Sequence, residues 1–152
     1  MSERGLYDAE LLALAAEPSS LPPGPTHSAR VHNPYCADEV ALHLVVRDGV
    51  LDAAGWQGDA CAVCRASAAL LVRQVGRSLT ELTALRGQLD AVLDGEGAFP
   101  LFACFAAVRQ HASRRACARL PWEALARALD DERPVAAAAG DSGPVAPRPQ
   151  PV

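Results

Sequence analysis

The chain has 152 residues, a net charge of −4 and no lysine, since all 14 basic residues are arginine. That length suits one compact domain with tails. The missing lysine excludes Schiff-base chemistry, a lysine general base and the Gly-Lys-Ser/Thr phosphate loop, and the acidic balance leaves no basic field for a polyphosphate backbone, which argues against nucleic acid as a partner. Half of the residues are hydrophobic, but 31 are alanine and only seven are aromatic, so the expected core is made of small-residue helices around a modest sheet.

In chain order, residues 6–16 carry leucines at helical spacing with Asp8 and Glu10 towards the N-terminal end, which predicts a short helix. It stops at Glu17-Pro18. Residues 17–34 hold five prolines and read as an extended connector that builds no core. From Val40 the pattern alternates: Val40, Leu42, Leu44 and Val46 on one face, His43 and Arg47 on the other, as in a half-buried strand. Asp48-Gly49 supplies the positive φ angles of a tight hairpin, and residues 50–57 return antiparallel.

After Gly58 the Ala-rich run ACAVCRASAALLVRQV predicts a helix. Ser78 and Glu81 form a capping box that opens the next one, with a third short helix over Asp90 to Leu93. A further apolar helix is expected from Phe99 to His111, and a last one begins at Pro121-Trp122-Glu123, with proline in the first turn. From Glu132 the sequence turns to Pro, Gly, Ala and Val without periodicity, so residues 132–152 are expected to form a disordered tail to a domain over residues 1–131. The fold class expected from this pattern is α+β: a small antiparallel sheet of two or three strands, packed against several helices.

The start MSERGLYDAE has no apolar export core, and the longest uncharged apolar run, Ala98 to Val108, falls well below the ~20 residues a membrane span needs. A soluble, cytoplasmic protein is the expectation, with no membrane partner. Five cysteines, an odd number, then point to metal binding or thiol chemistry rather than a disulfide framework. Thiolates select iron-sulfur clusters, zinc or copper(I), and a tetrahedral site needs four ligands from separate elements. Cys36 and Asp38 flank Ala37 just before the first strand of the hairpin. Cys61 follows its second strand at a helix start, where the dipole favours thiolate. Pairing of the two strands brings Cys36 and Cys61 together. Cys117 is placed in a short extended segment before the last helix.

Each thiol also has a plainer reading, because buried cysteine is a common core filler. Cys104, inside LFACFAAV, is assigned to the core. Cys61 and Cys64 form a CxxC, a rival redox pair, but no βαβ pattern precedes it, and packing is the preferred role for Cys64. His27, His32 and His43 read as surface or turn residues, with His32 a candidate neighbour of the site. Trp56 and Trp122 read as packing residues; Glu39, Asp52 and Asp59 as solubilising ones. Arg114, Arg115 and Arg119 form a solvated face with the option of docking an acidic partner or stabilising the Cys117 thiolate. No Ser/His/Asp or paired-carboxylate arrangement stands out, so hydrolase chemistry is set aside.

The stretch HNPYCADEVALHLVVRDGVLDAAGWQGDACAVCRASAALL resembles the U-type iron-sulfur scaffold family (IscU, SufU and the N-terminal domain of NifU), whose members carry NPxCGD, a hairpin, a G-x-GC turn and a small-residue helix. The stretch SRRACARLPWEAL resembles the family's C-terminal ligand segment, and the resemblance runs from about Leu6 to Leu129. It implies ligands at Cys36, Asp38, Cys61 and Cys117, holding a transient iron-sulfur cluster or Zn2+ at one end of the sheet. The implied function is a cluster assembly scaffold that receives sulfur from a SufS-like cysteine desulfurase and serves apo iron-sulfur acceptor proteins. Its alternatives are a zinc-dependent sulfurtransferase with Cys117 as sulfur acceptor, and a degenerate, metal-free interaction domain.

Ala116 stands where the Isc type has histidine, and no LPPVK segment precedes Cys117, which favours the SufU-like branch. Ala37 and Ala60 replace family glycines; if those positions demand positive φ, each alanine costs about 1 kcal/mol of strain.

Overall fold

The computed structural model describes residues 9–34 and 37–130. Helix α1 (Ala9–Ala15) leads into strands β1 (His27–His32), β2 (Glu39–Arg47) and β3 (Val50–Gln57). There follow α2 (Ala62–Val72), α3 (Leu79–Asp94), a 3-10 helix (Pro100–Gln110) and α4 (Ala112–Asp130). The strands form one antiparallel sheet in the order β1-β2-β3, which establishes the α+β class. The expected tail over 132–152 lies outside the described residues.

The hairpin forms where the alternation placed it, with Asp48 at φ 53° and Gly49 at φ 75°, both on the positive side that a two-residue turn of this hand requires. Val31, Val40, Leu42, Leu44 and Trp56 face the helices and join one core with Leu11, Leu14 and the buried faces of α2, α3 and α4. β2 is covered more fully than a half-buried strand: Ala41 and Val45 on its other face are also buried. A register shift between Val45 and Val46 ends the strict alternation.

Four sequence expectations change. The 17–34 connector contains β1, which pairs with β2 from His27↔Leu44 to His32↔Glu39 and buries Val31; its mixed polar composition conceals a strand whose inward positions are only His27, Ala29 and Val31. Asp90 to Leu93 is the end of α3 and not a separate helix, because Gly87 sits in open space on the exposed side and leaves the apolar stripe Leu82, Leu85, Leu89, Val92 and Leu93 unbroken. The segment expected as an apolar helix from Phe99 is a 3-10 helix interrupted by non-helical backbone at Phe102.

The last helix begins at Ala112, nine residues before Pro121, so Cys117 is helical and not in an extended segment. Alanine and arginine are strong helix formers, and they carry the chain through ASRRACAR into the proline. Pro121 lacks the N-H that would reach back one turn; beside this break the buried Ser67 hydroxyl donates to the Ala118 carbonyl at 2.5 Å.

Beyond the proline turns, the connector also shields the sheet. Ser19 Oγ accepts the Trp56 N-H at 2.9 Å, and Gly76-Arg77 exchanges hydrogen bonds with Leu51 at the other end of the strand. The outer edge of β3 therefore has backbone or side-chain partners at both ends, which blocks edge-to-edge pairing.

Gly58 is the glycine on which the approach of strands β2 and β3 depends. Its φ is 140°, and a Cβ there would lie 2.1 Å from the Glu39 carbonyl oxygen. Gly58→Ala is therefore expected to lower the unfolding free energy by about 1–3 kcal/mol, whereas Gly87→Ala, with nothing within 4 Å, should raise it by about 0.5–1 kcal/mol. Urea denaturation of the two variants checks this; equal effects would contradict the packing described.

Candidate metal centre

Three potential ligands arrive from three pieces of chain. Asp38 lies one residue before β2. Cys61 is the N-cap of α2, in extended backbone with its own side chain making no cap bond. Cys117 is in the second turn of α4. Gly58 allows the end of β3 to cross the start of β2, where the Glu39 N-H donates to the Asp59 carbonyl at 2.8 Å, and this crossing sets Asp38 beside Cys61.

The Asp38 carboxylate is 8% exposed and joins the other two. Oδ1 accepts the backbone N-H of Cys61 at 3.1 Å, and Oδ2 accepts the thiol of Cys117 at 3.2 Å. One ligand atom from each of the three residues lies within 4.8 Å of the others. A tetrahedral ion with metal-sulfur bonds of about 2.3 Å has sulfur-sulfur edges near 3.8 Å, so closure asks for a contraction of about an ångström at most. Two soft sulfurs and one hard carboxylate form a donor set that zinc or an iron-sulfur cluster accepts.

The two sulfurs are not equivalent. Cys61 falls to about 7 from its ordinary 9.0, chiefly because its sulfur shares the single Cys117 thiol proton with Asp38 Oδ2, with the Cys64 N-H adding to this; burial and the Asp38 carboxylate oppose the shift. Cys117 moves strongly upward, held as a thiol by its bond to Cys61, by burial and by Asp38. The pair thus loses its first proton from Cys61, at the helix N-terminus, where a thiolate is best placed.

Cys36 lies outside the described residues. Cys104 and Cys64 are both buried in the core, the packing role preferred for each; the backbone of Cys64, not its sulfur, serves Cys61. No histidine joins the ligand group among the described residues, and His32 is exposed. Arg119 does not serve Cys117: it bonds Asp90 and Asp94 at 2.9 Å each and so ties α4 to α3, while Arg115 donates to the Arg109 carbonyl.

Ala60 has no positive φ, since Asp48 is the sole non-glycine residue with one among the described residues. The expected strain at Ala60 is absent because Gly58 absorbs the turn. Asn33 is the residue that sequence reasoning overlooked. It is buried, its Nδ2 donates to Cys117 Sγ at 3.1 Å and to the Ser113 carbonyl at 3.4 Å, and its only signal was its place in HNPYCAD.

In metal-free protein, alkylation mapped by mass spectrometry should modify Cys61 ahead of Cys64, Cys104 and Cys117, with a rate that rises through a midpoint at about pH 7. Cys117→Ala removes the donor with the largest effect, so the Cys61 midpoint should move upward. A wild-type midpoint at the ordinary 9.0 would contradict this charge arrangement.

No protein-family model matches the chain. Among curated proteins it is 30% identical over 102 residues, 64% of this chain and 72% of the other, to the iron-sulfur cluster assembly scaffold protein IscU of Thermotoga maritima. Among solved structures, the NifU-like N-terminal protein of Brucella abortus superposes with a TM-score of 0.76 at 27% identity, covering 84% of this chain and 94% of that one. A scaffold protein for the SUF system from Fervidobacterium islandicum has the same fold, with a TM-score of 0.76 at 20% identity over 82% of this chain and 96% of that one. These similarities extend to IscU, NifU and SufU alike and do not assign a branch. With its sheet, its helices and its Asp38, Cys61 and Cys117 cluster in the corresponding architecture, the chain belongs to the U-type iron-sulfur scaffold family.

Proposed function

We propose that this protein assembles an iron-sulfur cluster on Cys36, Asp38, Cys61 and Cys117, takes its sulfur from a cysteine desulfurase and passes the cluster to apo acceptor proteins. The observation that carries this reading is the convergence of three ligand atoms, from residues 38, 61 and 117, within 4.8 Å in a member of this family. The cluster is cargo. Thiolates hold iron firmly, and the harder carboxylate of Asp38 is the ligand most readily exchanged for an incoming sulfide or an acceptor thiol.

The proton on Cys117 bears on a second reading, a zinc-dependent sulfurtransferase. Cys117 is held as a thiol in the metal-free site, and a thiol is a poor nucleophile. A bound cation between Asp38, Cys61 and Cys117 would displace that proton and supply a thiolate able to accept persulfide sulfur.

Anaerobic incubation with ferrous iron, cysteine, a desulfurase and a dithiol reductant, which supplies the electrons that take persulfide sulfur to sulfide, separates the readings. The scaffold reading expects sulfide-to-iron absorption on the protein, its loss in Cys61→Ala and Cys117→Ala, and its appearance on an added apo ferredoxin. Stoichiometric zinc retained while persulfide passes through Cys117 would favour the sulfurtransferase. If neither cluster nor persulfide forms, both fail. In the scaffold reading, Asp38→Cys should slow release to the acceptor on the order of tenfold, as ligand-environment changes typically do.

A further inference from the structure

We propose that Asn33 is a positioning residue for Cys117, whose amide N-H holds that sulfur in the ligand cluster and withdraws charge from it when it binds metal. The inference rests on the reading of Cys117 as a ligand. Asn33 follows β1 directly and is 2% exposed. Burying a carboxamide costs free energy unless its donors are used. Nδ2 spends them on Cys117 Sγ at 3.1 Å and on the Ser113 carbonyl, one turn earlier in α4, at 3.4 Å. The backbone N-H of Asn33 donates to the Asp38 carbonyl at 2.9 Å, so the same residue ties the end of β1 to the residue before β2 and grips α4.

The polarity of these contacts gives the amide its role. The bond from Cys117 to Asp38 Oδ2 requires the thiol proton and ends when that proton leaves. The bond from Asn33 runs the other way, from N-H to sulfur, and a thiolate is a better acceptor than a thiol. Asn33 is thus a partner of Cys117 that suits both the protonated and the metal-bound sulfur. Hydrogen bonds to ligating sulfur raise the reduction potential of a cluster and drain charge from the metal-sulfur bond. The sulfur of Cys61 takes the same kind of bond from the Cys64 backbone N-H, so each of the two ligand sulfurs has an N-H donor.

The test uses the full chain loaded with cadmium-113 and labelled with nitrogen-15 asparagine. Cadmium-thiolate absorption in the wild type comes first; its absence would defeat the metal-site reading itself. Given that absorption, the expected result is a correlation between cadmium-113 and the Asn33 side-chain proton through the N-H···S bond. A cadmium-loaded wild type without this correlation overturns the Asn33 proposal alone.

Asn33→Leu keeps the branched heavy-atom shape and removes the donor. In cobalt-substituted protein it should shift the thiolate-to-cobalt band to longer wavelength, because the sulfur without its N-H donor is more electron-rich. An unchanged band in a folded Asn33→Leu protein also overturns the proposal, and the wild-type correlation decides the matter if that variant does not fold.

Discussion

The carboxylate of Asp38 sits where the strand entrance, the N-terminus of α2 and the second turn of α4 meet, and each of its oxygens is committed to a different one of them. A buried carboxylate is costly unless its lone pairs are occupied. Here the Cys61 N-H and the Cys117 thiol occupy them. The helix dipole of α2 adds favourable potential at the same point. The carboxylate is thus both a strut between three elements and a prospective ligand, and a metal ion entering the cluster would exchange the thiol proton for a cation at nearly the same place.

What surrounds Asp38 explains how the chain can hold that arrangement. Gly58 lets two backbone segments pass where no side chain fits, so residue 38 meets residue 61 without distortion at Ala60. Opposite, α4 runs from Ala112 to Asp130 through Pro121, and Ser67 of α2 bonds the Ala118 carbonyl three residues before that proline. Cys117 is consequently carried on a helix rather than on a loop. Arg119, two residues further on, fastens the same helix to α3. One sulfur is thus carried on a helix and the other on a helix-capping position, while Asn33 and Asp38 flank them from the end of β1 and the start of β2.

Much of this was legible in the residues. The hairpin follows from alternation and Asp48-Gly49, and α3 from the Ser78 and Glu81 box; the return of β3 along β2, read from the sequence as bringing Cys36 to Cys61, sets Asp38 beside Cys61. β1 was hidden because an outer strand between proline-rich and polar segments shows only one strongly apolar inward side chain, Val31. The start of α4 was misplaced because proline is a local signal of helix beginnings, whereas the bond from Ser67 that accompanies it inside this helix is tertiary. Asn33 escaped for the same reason: a polar residue after a strand looks like a turn until the partner 84 positions away is brought against it.

Family membership and the convergence of Asp38, Cys61 and Cys117 make cluster assembly the central claim. The iron and acid-labile sulfide content of the protein isolated under strict anaerobiosis tests it most directly. The account predicts iron and sulfide in equal amounts in the wild type, and neither in Cys61→Ser or Cys117→Ser proteins that retain native circular dichroism. A wild type that is free of both, with the same metal content as those variants, would contradict it.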